Sequence, residues 1–175
     1  MDGDQARKLA GIRMLVLDVD GVLTDGGIIV HSDGTESKHF HVQDGHGIKL
    51  WHRAGGITAV VSGRTSGPTE YRARQLDIAH VLQGQLDKLP AVEGLLRQLG
   101  LGWEHAAVMG DDVLDIPIVR RAGFGVAVAN AVSELKAEAD FVTRHLGGHG
   151  AVREVIELIL KSSGRWTALM ERYER

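Results

Sequence analysis

Two aspartates follow directly on an apolar run near the start of the chain. In VLDVDGVLTDGG (16–27), Asp18 and Asp20 are separated by one residue and come after MLVL. A short apolar run of this kind is typical of a buried strand. Carboxylates held within a few ångströms of one another repel unless a cation lies among them. The pattern therefore predicts a cation-binding site at the end of a strand.

Polar side chains also follow the other apolar runs. SGRTS comes after one run and contributes Ser62, Gly63 and Arg64, while QGQLDK contributes Lys88. GDDVLD follows a third run and adds an acidic group, which comprises Asp111, Asp112 and Asp115. In open parallel sheets, ligands bind beyond the carboxyl ends of the strands. We therefore expect these side chains to converge on one rim of a sheet.

The chemistry of this set fits phosphoryl transfer. Oxygen ligands that leave positions for water are typical of a Mg²⁺ site. Serine, lysine and the backbone N–H groups of glycine-bearing turns complement a phosphate. A carboxylate nucleophile beside such a metal and phosphate site predicts a reaction through an aspartyl-phosphate.

Short apolar runs that predict strands alternate with helical segments along the whole chain. Most runs are apolar on both faces, as in a parallel sheet covered on each side by helices. The alternation predicts a doubly wound α/β sandwich and one domain over residues 1–175. The predicted strands are 14–18, 57–62, 80–82, 105–110 and 124–129, and the helical segments are 47–55, 67–77, 88–100 and 111–123.

An insertion interrupts this alternation after the first strand. IIVH and ESKHFHV flank SDGT, and Asp33-Gly34 is a sequence favoured in a type I′ hairpin turn. We predict a β-hairpin over about residues 26–43, which is too short to be a separate cap domain. It is the candidate element for covering an otherwise open site.

Composition excludes several classes of function. The chain has 175 residues, a net charge of −3 and 5% aromatic residues, which gives no basic field or stacking platform for nucleic acid. It has no cysteine, so disulfides, thiolate catalysis and cysteine-ligated metals are excluded. Apolar runs are too short to span a bilayer, and the N-terminal segment lacks a signal-peptide pattern. We expect a cytoplasmic protein with neither nucleic-acid nor membrane partners.

The motifs DVDGVLTDG, SGR, DK and GDDVLD resemble, in order, the four motifs of the haloacid dehalogenase superfamily of phosphohydrolases. FHVQDGHGIKL, GRTS and GGHGAVREV resemble a small capless branch of it, and the resemblance covers nearly the whole chain. Members of that branch hydrolyse 3-deoxy-D-manno-octulosonate 8-phosphate on the route to the lipopolysaccharide inner core. The resemblance implies a homotetramer in which hairpins from neighbouring subunits cover the sites.

The resemblance also implies roles for the acidic residues. Asp18 is expected to be the nucleophile, and Asp20 to protonate the leaving sugar oxygen and then activate water. Mg²⁺ is expected to be held by Asp18, the backbone carbonyl of Asp20 and Asp111. Asp112 and Asp115 are expected to orient these ligands or the lysine.

Further roles are implied for the remaining motif residues. Ser62 and Gly63 are expected to bind phosphate, and Lys88 to neutralise both phosphate and nucleophile. Arg64 is expected to pair with the carboxylate of the sugar acid, which favours the octulosonate. Asp25 belongs to the first motif, but its role stays open between a structural turn and substrate contact.

Three other functions compete with this interpretation. One is a phosphatase for another acidic sugar, such as a nonulosonate 9-phosphate. Another is a non-catalytic oligomerisation or regulatory module, and a third is a domain that only stores an aspartyl-phosphate. Asp20 weighs against storage because it supplies an acid/base for turnover. His39 and His41, expected on one face of a hairpin strand, favour a solvated or interface role over a metal site.

Overall fold

A parallel sheet runs through the centre of the computed structural model, which describes residues 3–174. The six strands lie in the order β5-β4-β1-β6-β7-β8, and β2 and β3 form a separate antiparallel pair. From the central strand, the chain builds outward first on one side and then on the other, so the predicted doubly wound topology is confirmed. The strands are β1 (Met14–Leu17), β2 (Ile29–Val30), β3 (Glu36–Ser37), β4 (Ile57–Val61), β5 (His80–Leu82), β6 (Ala106–Gly110), β7 (Phe124–Ala127) and β8 (Phe141–Val142).

Strand β1 lies at the centre because its sequence, MLVL, is apolar at every position. All four of its residues are buried, which requires cover on both faces since alternate side chains point to opposite faces. Leu17 pairs with Val60 on one side and Met109 on the other. This register ends β1, β4 and β6 at the same rim of the sheet.

Helices provide the cover that the sheet needs. The predicted segments are helical, but α2 begins earlier than predicted, and 111–123 divides into a 3₁₀ turn (Val113–Asp115) and a short α5. The sequence does not reveal the start of α2 because Gly45 and Gly47, in its first turns, are weak helix formers. In the structure, Gly47 allows Arg153 to pack closely against the helix. The helices are α1 (Gly3–Gly11), α2 (Val42–Arg53), α3 (Gly67–Gln75), α4 (Lys88–Gln98), α5 (Ile116–Val119), α6 (Ser133–Lys136), α7 (Ala151–Ser162) and α8 (Trp166–Met170).

The predicted hairpin is present, but its turn differs from the prediction. Strands β2 and β3 pair antiparallel within the predicted range. The Gly34 N–H donates to the His31 carbonyl, and Gly34 has a φ of +84° whereas Asp33 does not have a positive φ. A type I′ turn needs positive φ at both central residues, so that prediction is wrong. The Asp33 carboxylate instead accepts from the N–H and hydroxyl of Thr35, at 2.9 and 2.7 Å.

The second hairpin strand is shorter than the sequence indicated. It ends at Ser37, and His41 immediately precedes α2. The prediction that His39 and His41 share a strand face is therefore wrong, because the chain leaves the antiparallel pair to enter the helix. Among residues 3–174, no helix combines the length and apolar character needed to cross a membrane.

Candidate active site

The loop after β1 carries the first two aspartates to the rim. The Asp18 N–H donates to the Met109 carbonyl at 3.1 Å, which extends the pairing of β1 with β6. Gly21 then turns with a φ of +92°, and a Cβ there would lie 1.9 Å from Asp111 Oδ2. Only glycine lets the loop pass this close to the acidic cluster. Buried Thr24 supports the turn by accepting from the Gly21 N–H at 3.3 Å.

Lys88 joins this loop to the acidic turn after β6. It is the first residue of α4, following Asp87, which caps the helix by accepting from the Leu89 N–H. Its Nζ donates to Asp18 Oδ1 at 2.6 Å and to Asp115 Oδ1 at 2.7 Å. Burial alone would lower the pKa of Lys88, but the two carboxylates outweigh it and raise the pKa above its ordinary value. Lys88 is therefore a charged bridge between two acids.

Asp115 is committed to organising its own loop. It is 1% exposed, and its Oδ2 accepts from the Asp111 N–H at 3.0 Å and the Asp112 N–H at 3.4 Å. Because its other oxygen is held by Lys88, its hydrogen bonds position the neighbouring aspartates and the lysine. Asp112 in turn accepts from the Val113 N–H at 2.7 Å and caps the following turn.

The acidic cluster carries more negative charge than its own lysine balances. One carboxylate oxygen from each of Asp18, Asp111 and Asp115 lies within 4.8 Å of the others. Burial and the charge of Asp115 raise the pKa of Asp18 to about 6, despite the opposing effect of Lys88. Burial followed by the charges of Asp18, Asp115 and Asp112 raises the pKa of Asp111 to about 8. Such oxygen-only, electrostatically frustrated clusters suit a hard divalent cation.

The loop after β4 brings Ser62, Gly63 and Arg64 to the same rim. The Ser62 carbonyl accepts from Gln85 N–H at 2.9 Å, which ties this loop to the one after β5. The Ser62 hydroxyl accepts from the Arg64 N–H at 3.2 Å, and Ser62 is 4% exposed. A hydroxyl and a cation thereby join the carboxylates at this rim.

The hairpin adds two charged residues that the sequence interpretation missed. Lys38 has a fully buried side chain and forms an ion pair with the Asp20 carboxylate. Glu36 accepts from Arg64 Nη2 at 2.9 Å. The available signal was the spacing of Glu36 and Lys38 in a segment predicted to be a strand, where residues two apart face the same side, although β3 itself ends at Ser37.

A cavity of about 290 Å³ lies where these loops meet. Its lining includes all nine residues predicted for the site and adds Gly26 and Leu114, which were not predicted. Asp25 is not part of the lining; its Oδ1 accepts from the Gly27 N–H at 2.9 Å, as in a structural turn. His39 lies 3.5 Å from Asp25 and is largely exposed. The lining residues are Asp18, Asp20, Gly26, Ser62, Gly63, Arg64, Lys88, Asp111, Asp112, Leu114 and Asp115.

Similarity to known proteins agrees with this geometry. A family model for haloacid dehalogenase-like hydrolases matches residues 68–156. The chain is 43% identical over 165 residues to 3-deoxy-D-manno-octulosonate 8-phosphate phosphatase from Escherichia coli K12, covering 94% of this chain and 88% of that protein.

Solved structures extend the similarity to the three-dimensional fold. The corresponding phosphatase from Moraxella catarrhalis, in complex with magnesium, phosphate and KDO, has a TM-score of 0.96, 43% identity and 99% coverage of both chains. A cobalt-bound enzyme from Haemophilus influenzae has a TM-score of 0.87 and 40% identity, covering 90% of this chain and 92% of that one. The chain thus belongs to the haloacid dehalogenase-like hydrolases and, among them, to the family of the 3-deoxy-D-manno-octulosonate 8-phosphate phosphatases.

Proposed function

We propose that the protein is a Mg²⁺-dependent phosphatase that hydrolyses 3-deoxy-D-manno-octulosonate 8-phosphate to the free sugar acid and phosphate, in lipopolysaccharide core biosynthesis. The observation that carries this proposal is the convergence of Asp18, Asp20, Ser62, Lys88 and Asp111 on one cavity. The related enzymes named above supply the substrate. Arg64, with half of its side chain exposed at the same cavity, provides a cation for the substrate's carboxylate.

The first chemical step is attack on the phosphoryl group by Asp18. Lys88 holds its Oδ1, so the other carboxylate oxygen is the attacking atom. That oxygen forms a bond to phosphorus while the bond from phosphorus to the sugar oxygen breaks. Asp20, in its protonated form, gives its proton to the leaving sugar oxygen. Ser62 donates a hydrogen bond to the transferring group, and the step leaves phosphate on Asp18.

The second step reverses the protonation of Asp20. Its carboxylate takes a proton from a water molecule as the water oxygen attacks phosphorus. The bond between phosphorus and the Asp18 oxygen breaks, which releases inorganic phosphate and restores both carboxylates to their starting states. Asp115 and Asp112 take no proton in this scheme. They position Lys88 and Asp111.

The residues present fit a magnesium ion. Asp18 and Asp111, together with the backbone carbonyl of Asp20, are the proposed ligands, because both Asp115 oxygens already accept hydrogen bonds. A Mg²⁺ ion held there supplies positive charge that neutralises the carboxylates and stabilises the phosphoryl oxygens.

The proposal includes a homotetramer acting in the cytoplasm. The outer face of the hairpin supports self-association, because Ile29 and Val30 are 59% and 72% exposed. Light scattering tests this assembly: a monomer with full activity would contradict it. The cytoplasmic location stays a prediction from the sequence.

Phosphate release from a panel of sugar phosphates tests the activity. We expect the octulosonate 8-phosphate to give the highest kcat/KM with Mg²⁺ present and activity to disappear in EDTA. A nonulosonate 9-phosphate serves as the acidic comparison and arabinose 5-phosphate as the neutral one. A higher kcat/KM for the nonulosonate would assign the enzyme to that substrate, and no hydrolysis of any panel member would contradict a phosphatase.

A further inference from the structure

Glu36 and Arg64 come from separate parts of the chain and meet at the edge of the cavity. Arg64 lies in the loop after β4, and Glu36 lies in β3 of the hairpin. Arg64 Nη2 donates to Glu36 Oε2 at 2.9 Å. The arginine side chain is 51% exposed, whereas that of the glutamate is 16% exposed. An arginine largely in solvent is thus held by a carboxylate that is largely buried.

The contacts of Arg64 are confined to one edge of its guanidinium group. Its Nε lies 3.7 Å from Asp20 Oδ2, and its Nη2 bonds Glu36. Within residues 3–174, no hydrogen bond or ion pair involves Nη1. Because guanidinium is planar, holding one edge fixes the direction in which the other edge points. The opposite edge, which includes Nη1, is thus unused, and Arg64 is one of the residues that line the cavity.

Lys38 is a second cation near Glu36, on its buried side. Its Nζ lies 4.0 Å from Glu36 Oε1, which is a buried oxygen. A hydrogen bond with the Ser66 side chain is the largest influence lowering the pKa of Glu36. Glu36 therefore lies between two cations, Lys38 on the inside and Arg64 at the rim. Ser37, which lies between Glu36 and Lys38 in sequence, contacts His31 at 2.9 Å across the hairpin. Within the described part of the chain, no hydrogen bond joins Ser37 to Arg64.

We propose that Glu36 is a positioning residue for substrate selection: it fixes Arg64 so that the unused guanidinium edge receives the carboxylate of the sugar acid. This inference rests on the proposed function and deepens it. Arginine binds carboxylates through two parallel N–H donors, so the direction of the edge sets the strength of the interaction. Ordering a long side chain before the substrate arrives reduces the entropy lost on binding.

Steady-state kinetics of Glu36 variants on two substrates test this role. We expect Glu36→Ala to raise the KM for the octulosonate 8-phosphate about tenfold with little change in kcat, as for a lost binding interaction. The KM for p-nitrophenyl phosphate, which has no carboxylate, should stay unchanged. Glu36→Gln keeps an acceptor oxygen for Arg64 and should fall between wild type and Glu36→Ala. Ser37→Ala is the matched control and should match wild type on both substrates.

Each other result overturns the inference in a recognisable way. A lower KM for the acidic substrate in Glu36→Ala would mean that Glu36 competes with the substrate for Arg64. Equal changes on both substrates would assign Glu36 to the folding of the hairpin, and no change would leave it without a role in selection. Wild-type protein that hydrolyses p-nitrophenyl phosphate but not the octulosonate would refute the proposed function itself, and with it the carboxylate subsite.

Discussion

Asp18 and Asp44 are both buried carboxylates, but they differ in the donors and charges that surround them. Asp44, in α2, is 1% exposed and accepts from the Gly150 and Arg153 N–H groups at 3.1 and 2.8 Å, at the start of α7. Asp18 is 9% exposed and lies among other carboxylates with Lys88 as its nearest cation. Burial is the largest cause raising the pKa of each.

The difference separates a structural carboxylate from the proposed catalytic one. At Asp44, the N–H groups at the start of α7, which have no partner within the helix, and the positive end of the α7 dipole stabilise the negative charge. The interaction therefore ties two helices together. At Asp18, the folded chain brings like charges together without enough positive charge to balance them. Functional sites are where such unfavourable arrangements persist. The two sites should therefore respond oppositely to loss of charge.

The sharpest test of this contrast is Asp18→Asn. Removing the proposed nucleophile should lower phosphate release by about 10⁴-fold or more, the size of loss seen when a catalytic unit is broken. The thermal midpoint should hold or rise, because one of the repelling charges is gone. Asp25→Asn is the control, since an amide oxygen can still accept from the Gly27 N–H. Near-normal activity in Asp18→Asn would rule out the proposed nucleophile.

The next largest effect is the stabilisation of the folded protein by Mg²⁺ binding. At about one hundred times its dissociation constant, a ligand that binds only the folded state adds about 2.7 kcal/mol of stability. We expect Mg²⁺ to raise the thermal midpoint of the wild-type protein and to have little effect on Asp111→Asn, which differential scanning calorimetry measures. An equal rise in both proteins would place the cation away from the acidic cluster.

Asp44→Ala should have the opposite effect to Asp18→Asn: it should lower the stability and leave the activity largely intact. It leaves two N–H groups at the start of α7 without their acceptor, which costs about 2 kcal/mol of unfolding free energy. Urea denaturation measures this loss, and kcat of the remaining folded protein should stay close to wild type. Asp33→Ala, which removes an exposed turn carboxylate, is the control and should cost much less. A stable Asp44→Ala protein would contradict a structural role.

The last prediction is a pH dependence of the metal-free protein. An acid whose pKa is higher in the folded state holds more protons there, so stability falls as pH rises from the unfolded to the folded pKa. The pKa is about 6 for Asp18 and about 8 for Asp111, so the thermal midpoint should decrease as the pH is raised from 5 to 8. Asp111→Asn should reduce the slope, while Asp44, whose pKa is also raised, contributes equally in both proteins. An unchanged slope in Asp111→Asn would show that the acidic cluster is not the source of the pH dependence.

Much of the sheet and the placement of the site residues could be predicted because their signals are local. MLVL is a continuous apolar run, ITAVV is interrupted only by Thr58, and most of the polar residues that line the cavity lie just after a strand in sequence. Elements without such runs were missed, among them α6 and β8, whose four and two residues are too few for a periodic pattern. Glu36 and Lys38 were missed as site residues because their placement depends on how the hairpin folds back on the sheet.

The loop after β1 is also fixed by residues far along the chain. Asn130 donates to the Gly21 carbonyl at 3.4 Å and accepts from the Gly147 N–H at 2.7 Å, while the Gly148 N–H donates to the Val22 carbonyl at 2.9 Å. A Cβ at Gly147 would lie 1.6 Å from the Gly21 carbonyl oxygen, so the two loops touch backbone to backbone.

These contacts set an order for biosynthesis. The proposed nucleophile leaves the ribosome early, but the backbone that fixes its loop is synthesised near the end. A nascent chain that stops before Gly147 carries all nine predicted site residues and Asn130, but it lacks the contacts that Gly147 and Gly148 make with this loop and with Asn130. A C-terminal truncation at this point therefore removes support from the loop that carries the proposed nucleophile, at the opposite end of the chain.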